Sequence, residues 1–156
     1  MAVRSCLLAI FVLAVVTNSA IIPASIASPC PAGKTAYANS VPVTSNGCGS
    51  GATQAALASY LVPYLNDFTP CCNAHDICFG TCAISNFLAA FNTCNSSFKT
   101  CMYSKCAAKA RAIWNPITAY LTKSACETTA SLLYDAVNSL GKGIYVSSQK
   151  LHCSCK

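Results

Sequence analysis

Two pairs of cysteines with equal spacing are the feature that most limits the fold. Cys71 and Cys78 are seven residues apart, as are Cys94 and Cys101. Positions seven apart lie on one face of a helix, and facing positions in an antiparallel helix pair have a constant sum of residue numbers. The sum is 172 for the two outer cysteines and also for the two inner ones. Two disulfides therefore fit one register, with a turn centred near residue 86.

The N-terminus has the pattern of a secretory signal peptide. Arg4 is followed by an apolar run over residues 6–16, which is too short to span a membrane, and then by small polar residues. We predict a leader over residues 1–20, with cleavage near Ala20 or alternatively Ala27, and one domain over residues 21–156. The mature protein is then secreted and extracellular.

The cysteine count agrees with an oxidising compartment. Cys6 leaves with the leader, so twelve of the thirteen cysteines remain. An even number in a secreted chain predicts six disulfides, and zinc ligation is the weaker alternative.

The charge balance is modestly basic. Without Arg4, nine basic residues remain against four acidic ones. A positive balance favours acidic lipid surfaces, but these charges form no dense run. We expect no nucleic-acid partner, and we expect a monomer.

Helical periodicity recurs along most of the chain, which predicts a mainly α fold. The segments are a short helix over 52–68 that Pro63 interrupts, a helix from 70 to about 83, one from 87 to about 113, and one from 124 to 141. Thr69 before Pro70 predicts the start of the second helix. Ser124 with Glu127 is a capping box for the last helix, which Gly141 closes.

The other segments are predicted to be irregular. Residues 29–51 are rich in Pro, Gly, Ser, Thr and Asn, which is typical of a loop. Residues 143–156 contain two cysteines and a few β-favouring residues, enough for a cross-linked extension but not enough to predict a strand.

The only adjacent histidine and carboxylate lie among these cysteines. His75 is four residues after Cys71 and three before Cys78, so it faces the second helix. Asp76 points about 100° away from it, toward a different partner. The glycine loop over residues 47–51 can aim backbone carbonyls at a ligand, and carbonyls with one carboxylate suit calcium.

Three motifs in order make the chain resemble the secreted phospholipase A2 family. They are the glycine loop x-C-G-x-G at 47–51, the motif C-C-x-x-H-D-x-C at 71–78, and the later cysteines seven apart. The resemblance covers roughly residues 46–106. It is strongest to divergent branches with a reduced insertion, because too few residues separate Cys82 from Cys94 for the β-hairpin of pancreatic and venom enzymes.

The resemblance implies a calcium-dependent enzyme that hydrolyses the sn-2 ester of glycerophospholipids, at a membrane or micelle surface, to a fatty acid and a lysophospholipid. His75 would be the general base that activates a water. Asp76 and the carbonyls of Gly47, Gly49 and Gly51 would bind Ca²⁺, and the Gly49 N–H would help stabilise the oxyanion.

The resemblance also implies three disulfides: Cys48–Cys72, Cys71–Cys101 and Cys78–Cys94. The last two repeat the pairs that the helical register allows. The sequence does not indicate how the other six cysteines pair, and fifteen connectivities are possible. These six are Cys30, Cys82, Cys106, Cys126, Cys153 and Cys155.

Two residues depart from the family pattern. Asn95 stands where an aspartate usually holds the catalytic histidine, and Phe79 stands where a tyrosine hydroxyl commonly supports that aspartate. An amide still accepts from the ring N–H of His75, but without the charge-assisted part of the bond. The alternative hypothesis is therefore a catalytically weak or inactive calcium- and lipid-binding protein. A third hypothesis is a disulfide-rich extracellular domain with no lipid role. The glycine loop argues against this hypothesis.

Two further patterns have open interpretations. Tyr60, Leu61, Tyr64, Leu65 and Phe68 form a stripe that is either core or a rim that docks on lipid. His152, beside two cysteines, is interpreted as a tail residue rather than a metal ligand.

Asn95 also begins the glycosylation sequon Asn95-Ser96-Ser97. Glycosylation needs an exposed side chain, whereas the helical register places Asn95 beside a cross-linked cysteine. We predict that mass spectrometry of the secreted protein finds Asn95 unmodified. A glycan there would contradict its internal placement.

Overall fold

The computed structural model describes residues 28–48 and 62–156. In chain order the elements are a strand β1 (Ala36–Ala38), a 3-10 helix (Val62–Tyr64), the helices α1 (Leu65–Gly80), α2 (Phe87–Arg111) and α3 (Pro116–His152), and a strand β2 (Cys153–Cys155). The predicted mainly α fold with an antiparallel helix pair is confirmed. The predicted leader and most of the predicted helix over 52–68 lie outside the described residues.

Disulfides join α1 to α2 in the predicted register. Cys71–Cys101 and Cys78–Cys94 each have Cα atoms 5.7 Å apart, and Cys48–Cys72 is formed as well. The six cysteines that the sequence left open form three further bridges: Cys30–Cys155, Cys82–Cys153 and Cys106–Cys126. Six disulfides therefore pair the twelve cysteines that were predicted to remain after the leader is removed. Each bridge stabilises the fold by restricting the unfolded chain, typically by about 2 to 4 kcal/mol.

The predicted start of α1 at Pro70 is wrong, because the helix begins at Leu65. Thr69 is inside the helix and its hydroxyl donates to the Leu65 carbonyl at 2.7 Å. Phe68, one residue earlier, is fully buried in the core. Its burial favours a helix that has already formed at that point, and Pro70 costs one backbone hydrogen bond near the helix start.

α1 ends at Gly80, three residues before the predicted end. A side chain at Gly80 would overlap Val43, so the glycine allows the segment before the 47–51 loop to cross the end of the helix. The residue that weakens the helix in isolation therefore serves a close tertiary contact. α2 ends at Arg111, two residues before the predicted position.

The predicted bounds of α3 are both wrong. The helix starts at Pro116, where the Asn115 side chain accepts from the backbone N–H groups of Ile117 and Thr118. Ser124 and Glu127 lie inside it and form no cap, and Glu127 instead pairs with Lys123 at 3.2 Å.

Gly141 does not end α3, which continues to His152. Gly141 is buried beside the ring of Phe79 on α1. Glycine costs a helix roughly 1 kcal/mol relative to alanine, and packing of α3 along both other helices outweighs that cost.

The described part of the predicted loop and the tail meet in a small sheet. β1 pairs antiparallel with β2, with Ala36 opposite Cys155 and Ala38 opposite Cys153. Two three-residue strands are marginal alone, and the disulfides Cys30–Cys155 and Cys82–Cys153 hold this pair in place. The sequence prediction missed both strands because neither segment has enough alternating residues to show a period.

The buried side chain of Gln149 connects α3 to the end of α1. Its amide nitrogen donates to the carbonyls of Phe79 and Thr81, each at 2.8 Å, and its oxygen accepts from the Ala83 N–H at 2.7 Å. These groups would otherwise lack partners where α1 ends. These three hydrogen bonds therefore fix the α1–α2 connection against the third helix.

Tyr145 lies in an aromatic cluster on the three helices, with ring centroids 4.7 to 5.4 Å from those of Phe79, Phe87 and Phe91. It is 1 % exposed, and its hydroxyl has no hydrogen-bond partner among the residues that the structure describes. Burial raises the pKa of Tyr145 to about 12. The fold therefore holds this phenol in its neutral form.

We predict that Tyr145→Phe does not destabilise the protein at neutral pH, because no hydrogen bond is lost. The wild-type phenol ionises near pH 10 when unfolded and only near 12 when folded. The stability that the neutral phenol contributes is therefore fully present below about pH 10 and is lost between pH 10 and 12, by on the order of 3 kcal/mol. Tyr145→Phe should resist alkaline unfolding better in circular dichroism, whereas exposed Tyr120→Phe should match the wild type. Equal alkaline unfolding of all three proteins would contradict this.

Candidate active site

His75 lies in the middle of α1, between the two disulfides that join this helix to α2. Its side chain is buried, with Nε2 2.9 Å from Oδ1 of Asn95 on α2. The rings of Phe79 and Phe98 lie 4.0 and 4.8 Å from the imidazole. Contacts from two helices therefore hold the ring in one orientation, as the sequence predicted from the helical stripe.

Asn95 is 0 % exposed, so its predicted burial is confirmed. Its amide nitrogen donates to Oδ1 of Asn138 on α3 at 3.1 Å. The Asn95 oxygen consequently faces the imidazole and accepts from its Nε2–H. This arrangement places the proton of the neutral ring on Nε2 and leaves the lone pair on Nδ1.

Asn138 is the site residue that the sequence analysis missed. It belongs to α3, and nothing in its local pattern distinguishes it from other polar residues of that helix. The disulfide Cys106–Cys126 sets the α2–α3 register with a residue-number sum of 232, and Asn95 with Asn138 gives 233. Knowledge of that one bridge would have placed the two amides opposite each other.

Burial controls the protonation of His75. Removal from water lowers the pKa of His75, and the Asn95 hydrogen bond and the negative charge of Asp76 raise it by less. The imidazole is therefore neutral at neutral pH. A neutral ring with its lone pair on Nδ1 can accept a proton from a bound water.

Asp76 points to the backbone at Asn46, just before the 47–51 loop, rather than to Asn95. Its Oδ2 accepts from the backbone N–H of Asn46 at 3.0 Å, and the disulfide Cys48–Cys72 ties the loop to α1 one turn earlier. Gly47 between them has φ +83°, a conformation that favours glycine. Burial raises the pKa of Asp76, against the opposing effects of the Asn46 N–H and of His75. Gly49 and Gly51 lie outside the described residues.

The donor chemistry beside Asp76 fits a hard cation. Across residues 28–48 and 62–156, no three His, Cys, Asp or Glu side chains cluster as metal ligands. The predicted site does not need such a cluster, because it combines one carboxylate with backbone carbonyls. The Asn46 N–H contact places the Asp76 carboxylate beside the segment that leads into the glycine loop, and oxygen donors of these two kinds suit calcium better than zinc.

The two departures from the family pattern meet in one network. Phe79 offers no hydroxyl, and its ring packs on the imidazole and on Tyr145. The amide of Asn138 provides the polar contact to Asn95 instead. The other histidine, His152, ends α3 and its Nδ1 donates to the Ser148 carbonyl at 2.8 Å, which agrees with a structural role.

Comparison with known proteins gives a consistent family. Residues 25–156 match the family described as Group XII secretory phospholipase A2 precursor. The chain is 34 % identical over 115 residues to the Group XIIA secretory phospholipase A2 of Mus musculus and 34 % over 114 residues to that of Homo sapiens, covering 74 and 73 % of this chain and 53 % of each relative. It is 26 % identical over 110 residues to the Group XIIB secretory phospholipase A2-like protein of Mus musculus. That match covers 70 % of this chain and 52 % of the relative.

The chain thus spans about half the length of the curated relatives it matches. No solved structure matches it.

We predict that Asn138 positions Asn95 and thereby the ring proton of His75. Asn138→Leu leaves the buried Asn95 amide without an acceptor, which should cost about 1 to 3 kcal/mol of stability. The Asn95 amide can then turn over, so nitrogen NMR should change from a single Nε2–H tautomer to a mixture. Asn138→Asp retains an acceptor and should keep the single tautomer. The same single tautomer in Asn138→Leu would contradict the positioning role.

Proposed function

Because this secreted, extracellular chain belongs to the group XII secretory phospholipase A2 family, we propose that it hydrolyses the sn-2 ester of glycerophospholipids in a calcium-dependent reaction. The products are a fatty acid and a lysophospholipid. The observation that carries the proposal is the buried contact between His75 Nε2 and Asn95 Oδ1, which leaves Nδ1 to act on a water, beside a carboxylate held at the glycine loop.

His75 is the proposed general base. Nδ1 accepts a proton from water as the water oxygen attacks the ester carbonyl carbon. When the bond to the glycerol oxygen breaks, the same proton moves from Nδ1 to that leaving oxygen. Asn95 accepts from Nε2–H throughout, so the ring keeps its orientation and little motion is needed to reach the transition state.

Asp76 and the 47–51 loop are the proposed calcium ligands. Asp76 would supply its carboxylate, and Gly47, Gly49 and Gly51 would supply carbonyl oxygens. Bound calcium supplies positive charge that holds the substrate phosphate and polarises the sn-2 carbonyl. The Gly49 N–H is the proposed additional donor to the oxyanion. The contact of Asp76 with Asn46 supports this assignment, since it keeps the carboxylate at the loop.

We predict that the protein releases fatty acid from mixed phospholipid vesicles with calcium and does so only at background level with a chelator. His75→Gln should reduce release by at least about 10²-fold, because the general base is lost. His152→Gln, with folding checked by circular dichroism, should retain it. Equal release under all these conditions, or release by none of the proteins, would defeat the enzymatic proposal.

A second candidate is a calcium- and lipid-binding protein with little or no turnover. Asn95 motivates it, because a neutral amide stabilises the protonated ring less than a carboxylate does. In serine proteases, replacing the aspartate that orients the catalytic histidine by asparagine lowers turnover by about 10⁴-fold.

We predict that Asn95→Asp raises the pKa of His75, as measured by NMR titration, because a carboxylate favours the imidazolium. It should also raise fatty-acid release by about tenfold or more under the calcium-dependent proposal. A raised pKa with release still at background would favour the binding protein.

A further inference from the structure

The segment that leads into the glycine loop contains the only asparagine of the chain that a glycine follows, Asn46-Gly47. This order of residues favours deamidation, because the backbone nitrogen of the second residue can attack the side-chain carbonyl carbon of the first. Glycine allows the attack best, since it has no side chain to crowd the approach and adopts backbone angles that other residues avoid. In a folded protein the reaction then depends on how firmly the two reacting groups are held.

Neither reacting group is held at Asn46-Gly47. The Asn46 side chain is exposed, and its amide makes no hydrogen bond within residues 28–48 and 62–156. The Gly47 N–H also finds no acceptor in that part of the chain. Gly47 has φ +83°, and a Cβ added to it would meet no described atom within 4 Å. Asn46 contacts Asp76 through its own backbone N–H, which leaves its side chain free to turn toward the Gly47 nitrogen.

The other asparagines of the described residues are held or lack the attacking group. Asn39 is the best comparison, because its side chain donates to the Leu151 carbonyl at 2.8 Å and accepts from the Val41 N–H at 2.9 Å. Asn115 precedes a proline, which has no N–H. The remaining ones lie inside helices, where the backbone is fixed, or cap one: Asn66, Asn73, Asn86, Asn92, Asn95 and Asn138.

We propose that Asn46 is a site of spontaneous deamidation whose isoaspartyl product releases the loop from Asp76. The Gly47 nitrogen loses its proton and bonds to Cγ of Asn46, while the bond from Cγ to the amide nitrogen breaks and ammonia leaves with that proton. Water then opens the cyclic imide. Attack at Cγ gives aspartate, whereas attack at the backbone carbonyl carbon gives isoaspartate, in which the main chain runs through Cγ. Water is the only co-reactant.

Isoaspartate lengthens the main chain between two points that α1 holds. Asn46 is held at Asp76 by a hydrogen bond, and Cys48 is held at Cys72 by a disulfide. The isoaspartyl linkage adds one carbon between these points, about 1.5 Å of chain. The disulfide is covalent and does not open, so the hydrogen bond at Asn46 weakens and the Gly47 carbonyl is displaced. The new carboxylate also repels Asp76, since both are negative.

The consequence for calcium rests on the proposed function. Calcium binds oxygen ligands at about 2.3 to 2.6 Å, so a shift of the Gly47 carbonyl by more than about 1 Å removes it from the ligand set. The protein would then lose calcium affinity as it ages outside the cell. The lifetime of the proposed site is thereby set by the chemistry of its own loop.

Timed incubation of the full chain, with its disulfides intact, tests the reaction. Samples kept at body temperature, at neutral and mildly alkaline pH, are mapped by mass spectrometry with fragmentation that distinguishes aspartyl from isoaspartyl linkages. We expect conversion at Asn46 to exceed conversion at Asn39 by at least about tenfold. Conversion should be faster at alkaline pH, because the attacking nitrogen must lose its proton. Asn46→Gln, whose longer side chain forms a cyclic imide far more slowly, should stay unmodified at this position.

Two measurements follow the consequence, on isoaspartyl protein separated from fresh protein by ion exchange. Amide hydrogen exchange at residue 46, without calcium, should become about fivefold to tenfold faster, as expected from the loss of one ordinary hydrogen bond. Calcium affinity, measured by equilibrium dialysis, should fall by at least about tenfold. Asn46→Gln, incubated alongside, should keep its own starting values in both measurements.

Several outcomes would overturn the proposal. They are an unmodified Asn46 after an incubation that converts the reduced, unfolded chain, equal conversion at Asn39, or unchanged amide exchange or unchanged calcium affinity in the isoaspartyl form. A different result would separate this proposal from the proposed function. If the fresh protein binds no calcium while Asn46 converts and its amide exchange rises, the calcium site is defeated and the deamidation site stands.

Discussion

The two disulfides between α1 and α2 are the constraint on which the rest of the structure depends. Cys71–Cys101 and Cys78–Cys94 lie on either side of His75 and allow a single register between the helices. That register places Asn95 opposite the imidazole, at 2.9 Å. The covalent links restrict how far α1 can slide along α2, so the site geometry does not rely on weak contacts alone.

The third helix, α3, supplies the polar contacts that complete the surroundings of His75 and the end of α1. Asn138 orients the amide of Asn95, and Gln149 binds the backbone where α1 ends. Tyr145 and Phe79 fill the apolar space between these polar contacts. The histidine is therefore supported by neutral amides in a water-poor environment, where burial keeps its pKa low. This network takes the place that a carboxylate and a tyrosine hydroxyl commonly occupy in the resembled family.

Local signals in the sequence were reliable where local contacts decide the structure and misleading where they do not. Thr69-Pro70 and Ser124 with Glu127 both have the composition of helix starts, yet both lie inside helices. Asn115 is the N-cap of α3. The helix continues past Gly141, which packs beside the ring of Phe79. Capping preferences amount to about 1 kcal/mol, which packing between helices readily exceeds.

The sequence alone determined the pairing of α1 with α2, the inward direction of His75 and the burial of Asn95, because seven-residue spacing and a constant index sum are properties of the chain itself. The tertiary structure decided the bounds of α3, the two short strands, the last three disulfides and the contact of Asn138. Each of these joins residues far apart in the chain. Their proximity depends on how three helices pack, and no local spacing contains that information.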